Sequence, residues 1–80
     1  MSKEEIFQVI LSNIFDVLYE LEGTDIKITD SLKSLGANSI DRVDIIMASM
    51  ESLGVKCDMI EFKDAKNIDE IASILQSKLG

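Results

Sequence analysis

The chain holds no histidine and a single cysteine, Cys57, so a search for chemistry narrows to hydroxyls and carboxylates. Without histidine the usual general base near neutral pH is missing, and so are the Ser/His and Cys/His nucleophile pairs. Metal sites built from histidine or paired cysteines are excluded as well. No catalytic residue and no metal ligand is therefore expected. One hydroxyl stands out, that of Ser39 in Leu35-Gly36-Ala37-Asn38-Ser39-Ile40. It follows a glycine and opens fifteen residues of helical periodicity, Ser39 to Leu53. A serine there is exposed, and its hydroxyl lies beside backbone N–H groups that have no partner within the helix. Such a place favours an anion. The plainer reading is that Ser39 is only part of a helix cap, as most such serines are.

Three apolar stripes at helical spacing position that hydroxyl. The first covers about Lys3 to Leu21, with Ile6, Val9, Ile10, Ile14, Val17, Leu18 and Leu21 stepping by three and four. Phe7, Leu11 and Phe15 widen its face, Ser2 is its expected N-cap, and Gly23 ends it. Residues 24–37 alternate like a strand, but one short strand without a partner is not stable. We expect a long loop whose Ile26, Ile28, Leu32 and Leu35 cover the open end of a bundle. The second helix spans Ser39 to about Leu53, with Ile40, Val43, Ile46, Met47, Met50 and Leu53 on one face. Asn38 is its cap, Asp41 sits at its third position, and Gly54 closes it. The third runs from about Ile68 to Leu79, capped by Asn67 with Glu70 in a box-like spacing. Met59, Ile60 and Phe62 mark a short helical turn between them. The expected fold is all-α, a small four-helix bundle of three main helices and one short one, with a long loop between helices one and two. Residues 1–80 form a single domain.

Fifteen acidic residues against eight basic ones give a net charge of −7. That balance excludes nucleic acid, whose binding requires neutralised phosphates, and an anionic membrane surface. It favours encounter with partners that carry basic patches. No apolar run reaches membrane-spanning length, and Met-Ser-Lys-Glu-Glu lacks the basic-then-apolar order of a secretory signal. A soluble, cytoplasmic monomer is expected.

The stretch Ser31 to Asp44 resembles the attachment region of acyl carrier proteins, whose pattern is Leu-Gly, a small residue, Asp-Ser-Leu, then an amphipathic helix. Here it reads Leu35-Gly36-Ala37-Asn38-Ser39-Ile40, with Asp30 and Leu32 where that family pins its loop. Helix lengths and total length agree, so the likeness covers essentially the whole chain, which makes residues 1–80 one acyl carrier domain. The resemblance implies a covalent 4′-phosphopantetheine on Ser39, added by a phosphopantetheinyl transferase, that carries an acyl thioester. Asp30-Ser31-Leu32 spells the tripeptide literally, yet only four residues separate Ser31 from Gly36. Ser39 is the expected site and Ser31 the runner-up. Asn38 keeps the capping oxygen of the family's aspartate but loses its charge, so transferase recognition leans on Asp41, Asp44 and the wider surface, or on a permissive transferase.

In that family the second helix is the docking helix. By resemblance Asp41, Asp44 and Glu51 supply acidic contacts, Ile45 and Ala48 an apolar edge, and Arg42 a positive charge that disfavours wrong partners. Met47 and Met50 read as core, with the option of lining a groove for an acyl chain. Cys57 reads as a small buried hydrophobe with no reactive role.

Gly36-Ala37-Asn38-Ser39-Ile40-Asp41-Arg42, with Ala65-Lys66-Asn67-Ile68 later, is similar to free-standing carriers of polyketide β-branching cassettes. That likeness implies delivery of an acetyl donor group to an HMG-CoA-synthase-like enzyme. It also implies an acyltransferase or ketosynthase-like decarboxylase as a further partner. A carrier of primary fatty acid synthesis and an unmodified helical interaction domain are the alternatives. An EF-hand fails: counted from Asp25 its sixth position is Asp30 and its twelfth Gly36, where glycine and glutamate are needed.

Overall fold

Ser2 starts the first helix by a reciprocal exchange with Glu5. Its hydroxyl accepts the Glu5 N–H at 3.1 Å, and the Glu5 carboxylate accepts the Ser2 N–H at 2.9 Å. The computed structural model describes residues 1–79. In it α1 is Lys3–Val17, α2 is Ser39–Leu53 and α3 is Ile68–Leu79, with 3-10 turns at Tyr19–Leu21 and Met59–Phe62. No strand occurs among the described residues. The all-α expectation holds, with Met59–Phe62 as the short fourth element.

The end of α1 differs from expectation. The last α-type bond runs from the Leu18 N–H to the Ile14 carbonyl, and the chain then tightens to 3-10 bonds from Leu21 to Leu18 and Glu22 to Tyr19. Tightening keeps Leu18 buried and Leu21 against the core while Tyr19 stays in solvent. The buried line of α1 is Ile6, Phe7, Ile10, Ile14 and Leu18, so Phe7 belongs to the core itself and Val9 only to its margin. Each such side chain contributes about 1.5–3 kcal/mol by leaving water.

The alternating segment 24–37 finds its partner at the start of α3. The Ile28 carbonyl accepts the Asp69 N–H at 2.8 Å and the Asp30 carbonyl accepts the Ile68 N–H at 2.9 Å. Carbonyls of the turn at residues 27–30 thereby satisfy N–H groups that a helix start leaves free. Ile26 and Leu32 are buried beneath it, and Ile28 and Leu35 are half-buried. The Asp30 carboxylate holds the turn by accepting the Lys27 N–H at 2.8 Å.

α3 contributes Ile68, Ile71, Ala72 and Leu75, and Asn67 caps it by accepting the Glu70 N–H at 2.9 Å. The Glu70 carboxylate reaches the N–H of Lys66, one residue before the cap. α2 packs on both α1 and α3, and the turn Met59–Phe62 lies against α3 with Phe62 buried. Among the described residues no helix is long and apolar enough to cross a membrane.

Candidate functional site

The chain reaches Ser39 through a turn built for the purpose. Ser31 to Leu35 make one tight loop, closed by Gly36 N–H to Lys33 carbonyl at 3.1 Å and Ala37 N–H to Leu32 carbonyl at 3.1 Å. Gly36 sits at φ 98°, a conformation that L side chains rarely adopt. Ala37 is then buried, and Asn38 begins α2. The Asn38 side chain accepts the Asp41 N–H at 2.8 Å, and the Asp41 carboxylate accepts the Asn38 N–H at 3.2 Å. This box is why α2 begins where it does.

Ser39 is the first residue of α2 and is exposed. Its Oγ accepts a hydrogen bond from Arg42 Nη2 at 3.3 Å, one turn along. The Ser31 hydroxyl accepts the Ser34 N–H at 3.0 Å, so it belongs to its own turn and precedes no long helix. Beside Ser39 lies a groove of about 660 Å³, between the 31–33 turn, the inner edge of α2 and the segment 59–67. Its lining is largely apolar, with Leu32, Val43, Ile46 and Phe62 among the side chains.

The expected docking residues divide. Asp44 and Glu51 are exposed, Ala48 is half-buried, and Asp41 is half-buried with its carboxylate turned back on the cap. Arg42 is half-buried and turned toward Ser39 rather than outward. Ile45 is a correction: it is 0% exposed in the core and offers no docking edge. Three residues expected inside are outside instead. Ile40 is 72% exposed, Met47 54% and Val43 41%. Met50 is half-buried against the core, as expected.

The reason is a polar pair in the core, Ser49 of α2 and Asn13 of α1. Ser49 is 0% exposed, donates to the Ile45 carbonyl at 2.8 Å and accepts from Asn13 Nδ2 at 3.3 Å. Asn13, itself buried, also donates to the Val9 carbonyl at 3.0 Å. The buried line of α2 therefore passes through Ile45, Ile46 and Ser49, and the helix is turned relative to a stripe counted from apolar residues alone. Ile40, Asp44, Met47 and Glu51 share the outer face. Asn13 and Ser49, the two buried polar residues, are the signal in the sequence for that rotation.

Cys57 is half-buried, and that burial, aided by the charge of Glu61, pushes its thiol up from the ordinary value. A thiol so placed is a weak nucleophile at neutral pH.

Residues 8–75 match the family described as phosphopantetheine attachment site. The chain is 43% identical over 79 residues to the polyketide biosynthesis acyl-carrier-protein AcpK of Bacillus subtilis (strain 168), covering 99% of this chain and 96% of that one. It is 33% identical over 79 residues to an acyl carrier protein of Thermotoga maritima, covering 99% and 98%. A solved chain from the crystal structure of the curacin biosynthetic pathway HMG synthase in complex with acetyl donor-ACP superposes with a TM-score of 0.92 at 41% identity. That match covers 98% of this chain and 100% of the other.

Proposed function

This chain belongs to the phosphopantetheine-attachment family of acyl carrier proteins, and from that premise we propose that Ser39 bears its 4′-phosphopantetheine and that the acyl group it delivers is an acetyl donor for polyketide β-branching. Members of this family are carriers, not catalysts. The group supplies a thiol on a flexible tether, on which an acyl chain is held as a thioester.

The residues present fit that group. The Ser39 hydroxyl is exposed, and it is the first side chain of a fifteen-residue helix whose N-terminal end favours an anion. Arg42 stands within 3.3 Å of its Oγ, a cation placed to accompany a phosphodiester. Asn38 takes one N–H of the first turn with an uncharged amide, so that turn carries the Asp41 carboxylate alone. A single observation carries the assignment of the site: Ser39 presents its hydroxyl in solvent at the start of a long helix, whereas Ser31 spends its hydroxyl on a turn.

The subtype rests on two likenesses, 43% identity to a polyketide carrier and 41% to a chain solved with an HMG synthase. The outer face of α2 agrees with it, since Ile40 and Met47 form an apolar patch beside Asp44 for a partner enzyme to cover. The protein acts in the cytoplasm, where coenzyme A and a phosphopantetheinyl transferase supply the arm.

Incubation with a broad-specificity transferase and coenzyme A, read by intact mass, tests the attachment site. Wild type and Ser31→Ala gain one phosphopantetheine, and Ser39→Ala gains none. Loading that survives in Ser39→Ala and disappears in Ser31→Ala overturns the assignment. The acetyl-loaded protein is then offered to an HMG-CoA-synthase-like enzyme and to a fatty acid ketosynthase. Turnover by the second alone makes it a fatty acid carrier instead.

A further inference from the structure

The groove beside Ser39 is charged in a way the rest of the protein is not. Lys33, Arg42, Lys63 and Lys66 line it, four of the eight cationic residues of the chain, and none of the fifteen acidic residues does. Of the remaining four, Lys3, Lys27 and Lys78 are ion-paired with Asp69, Asp25 and Glu61. Among the described residues the four at the groove have no such partner. In a protein of net charge −7, a random spread of side chains would place acids there first.

Beside the cations the lining is mainly apolar, with Leu32, Val43, Ile46 and Phe62 among it. Its volume of about 660 Å³ lies in the ordinary range of small-molecule sites. A hydrocarbon chain alone gains nothing from the lysines, whose heads it would partly desolvate. A ligand with an uncharged body and an anionic end satisfies both parts of the lining.

We propose that the groove receives the far end of the protein's own loaded arm, and that it selects acyl groups ending in a carboxylate, the monothioesters of dicarboxylic acids such as malonate. The inference rests on the attachment of the arm at Ser39, a residue that itself lines the groove. Tethering there gives the far end a high local concentration, so individually weak contacts suffice. Arg42, nearest Ser39, accompanies the phosphodiester. Lys63 and Lys66, on the opposite wall, take the carboxylate, and Lys33 closes the rim. Neutral acyl groups such as acetyl have no hold on the cations and stay mobile, available to a partner enzyme. The carrier thus distinguishes the charged form of its cargo from the uncharged one before any enzyme is bound.

The test loads the protein from malonyl-coenzyme A carrying 13C at the free carboxyl, with acetyl-coenzyme A and coenzyme A as controls, each product checked by intact mass. Cations facing a carboxylate favour its charged form, so the labelled carboxyl titrates at lower pH than in free malonyl-pantetheine. That difference disappears in the doubly substituted Lys63→Gln, Lys66→Gln protein. Backbone amides of residues 59–67 shift in the malonyl form and not in the acetyl or unacylated forms. Titration identical to the free compound overturns the proposal, as does a depressed value that survives the double substitution. Equal amide shifts in all three loaded forms also overturn it, because the cations then serve only the phosphodiester that every form shares. Failure to load at all sinks the Ser39 assignment, a result that intact mass separates from the others.

Discussion

Arg42 Nη2 lies 3.3 Å from Ser39 Oγ, so the one arginine of an acidic protein points at the hydroxyl with which α2 begins. The two are three residues apart on α2, a spacing that puts side chains on the same face. The pair changes the meaning of Arg42. Read as part of a docking helix, it was expected to repel wrong partners; in the structure it turns toward the attachment residue and the groove.

Arg42→Gln should slow loading without unfolding the protein. The half-buried Arg42 guanidinium contributes roughly 1 kcal/mol to an incoming phosphate group, about a fivefold change in kcat/KM for phosphopantetheinylation. Intact-mass time courses at low salt measure the rate, and a thermal melt confirms an unchanged midpoint. A rate equal to wild type would show that the guanidinium does not meet the phosphate.

Ile45 and Met47 are two residues apart and do opposite things. Ile45→Ala removes a fully buried side chain and should cost about 2–5 kcal/mol in urea unfolding. Met47→Ala, at a position 54% exposed, should change stability by about 0.5 kcal/mol or less while weakening the complex with the partner enzyme. Titration calorimetry with that enzyme separates the two roles.

This contrast also marks what the sequence made legible. Caps were readable because they are local: Ser2 with Glu5, Asn38 with Asp41 and Asn67 with Glu70 each act over three residues. The loop over the bundle was readable from Ile26, Ile28, Leu32 and Leu35, and the start of α2 followed from Gly36 and Asn38. The facing of α2 was not. It depends on Asn13 and Ser49 meeting across 36 residues of chain, and polar core residues carry no weight in an apolar count. The groove was hidden for a similar reason: Lys33, Arg42, Lys63 and Lys66 come from three separate segments, and only the fold brings them together.

Cys57 should react slowly with iodoacetamide near neutral pH. Its thiol is pushed up by burial and by the charge of Glu61, so the thiolate fraction is below that of an open cysteine. Labelling should speed up on unfolding in urea at the same pH, and Glu61→Gln should give a smaller increase in the folded protein. Cys57→Ala should load with phosphopantetheine as wild type does.

Acid should loosen the start of α1 through Glu5. The Ser2 N–H and hydroxyl hold the Glu5 carboxyl below its ordinary value. A folded value lower than the unfolded one means that the contribution is present above the ordinary glutamate value and is lost as pH falls through the depressed one. Glu5→Gln keeps an acceptor and removes the titration, so its stability should fall less steeply across that acid window. Melts of both proteins at a series of acid pH values measure the difference, and parallel curves would remove Glu5 from the account.

Asn38 offers a test in which stability and loading should move differently. Asn38→Ala removes the oxygen that accepts the Asp41 N–H, and loss of such a cap costs about 1 kcal/mol. Asn38→Asp keeps that oxygen and adds a negative charge at the positive end of α2, which stabilises by roughly 0.3–1 kcal/mol, less what repulsion from the neighbouring Asp41 carboxylate takes back. Loading should respond to the charge instead. A carboxylate beside Ser39 restores the charge of the family's aspartate, so Asn38→Asp should be modified faster than wild type. Asn38→Ala should be modified at a similar or lower rate than wild type once folding is matched by temperature. If the Asp and Ala variants load equally fast, the charge at this position has no part in transferase recognition, and the asparagine serves the helix alone.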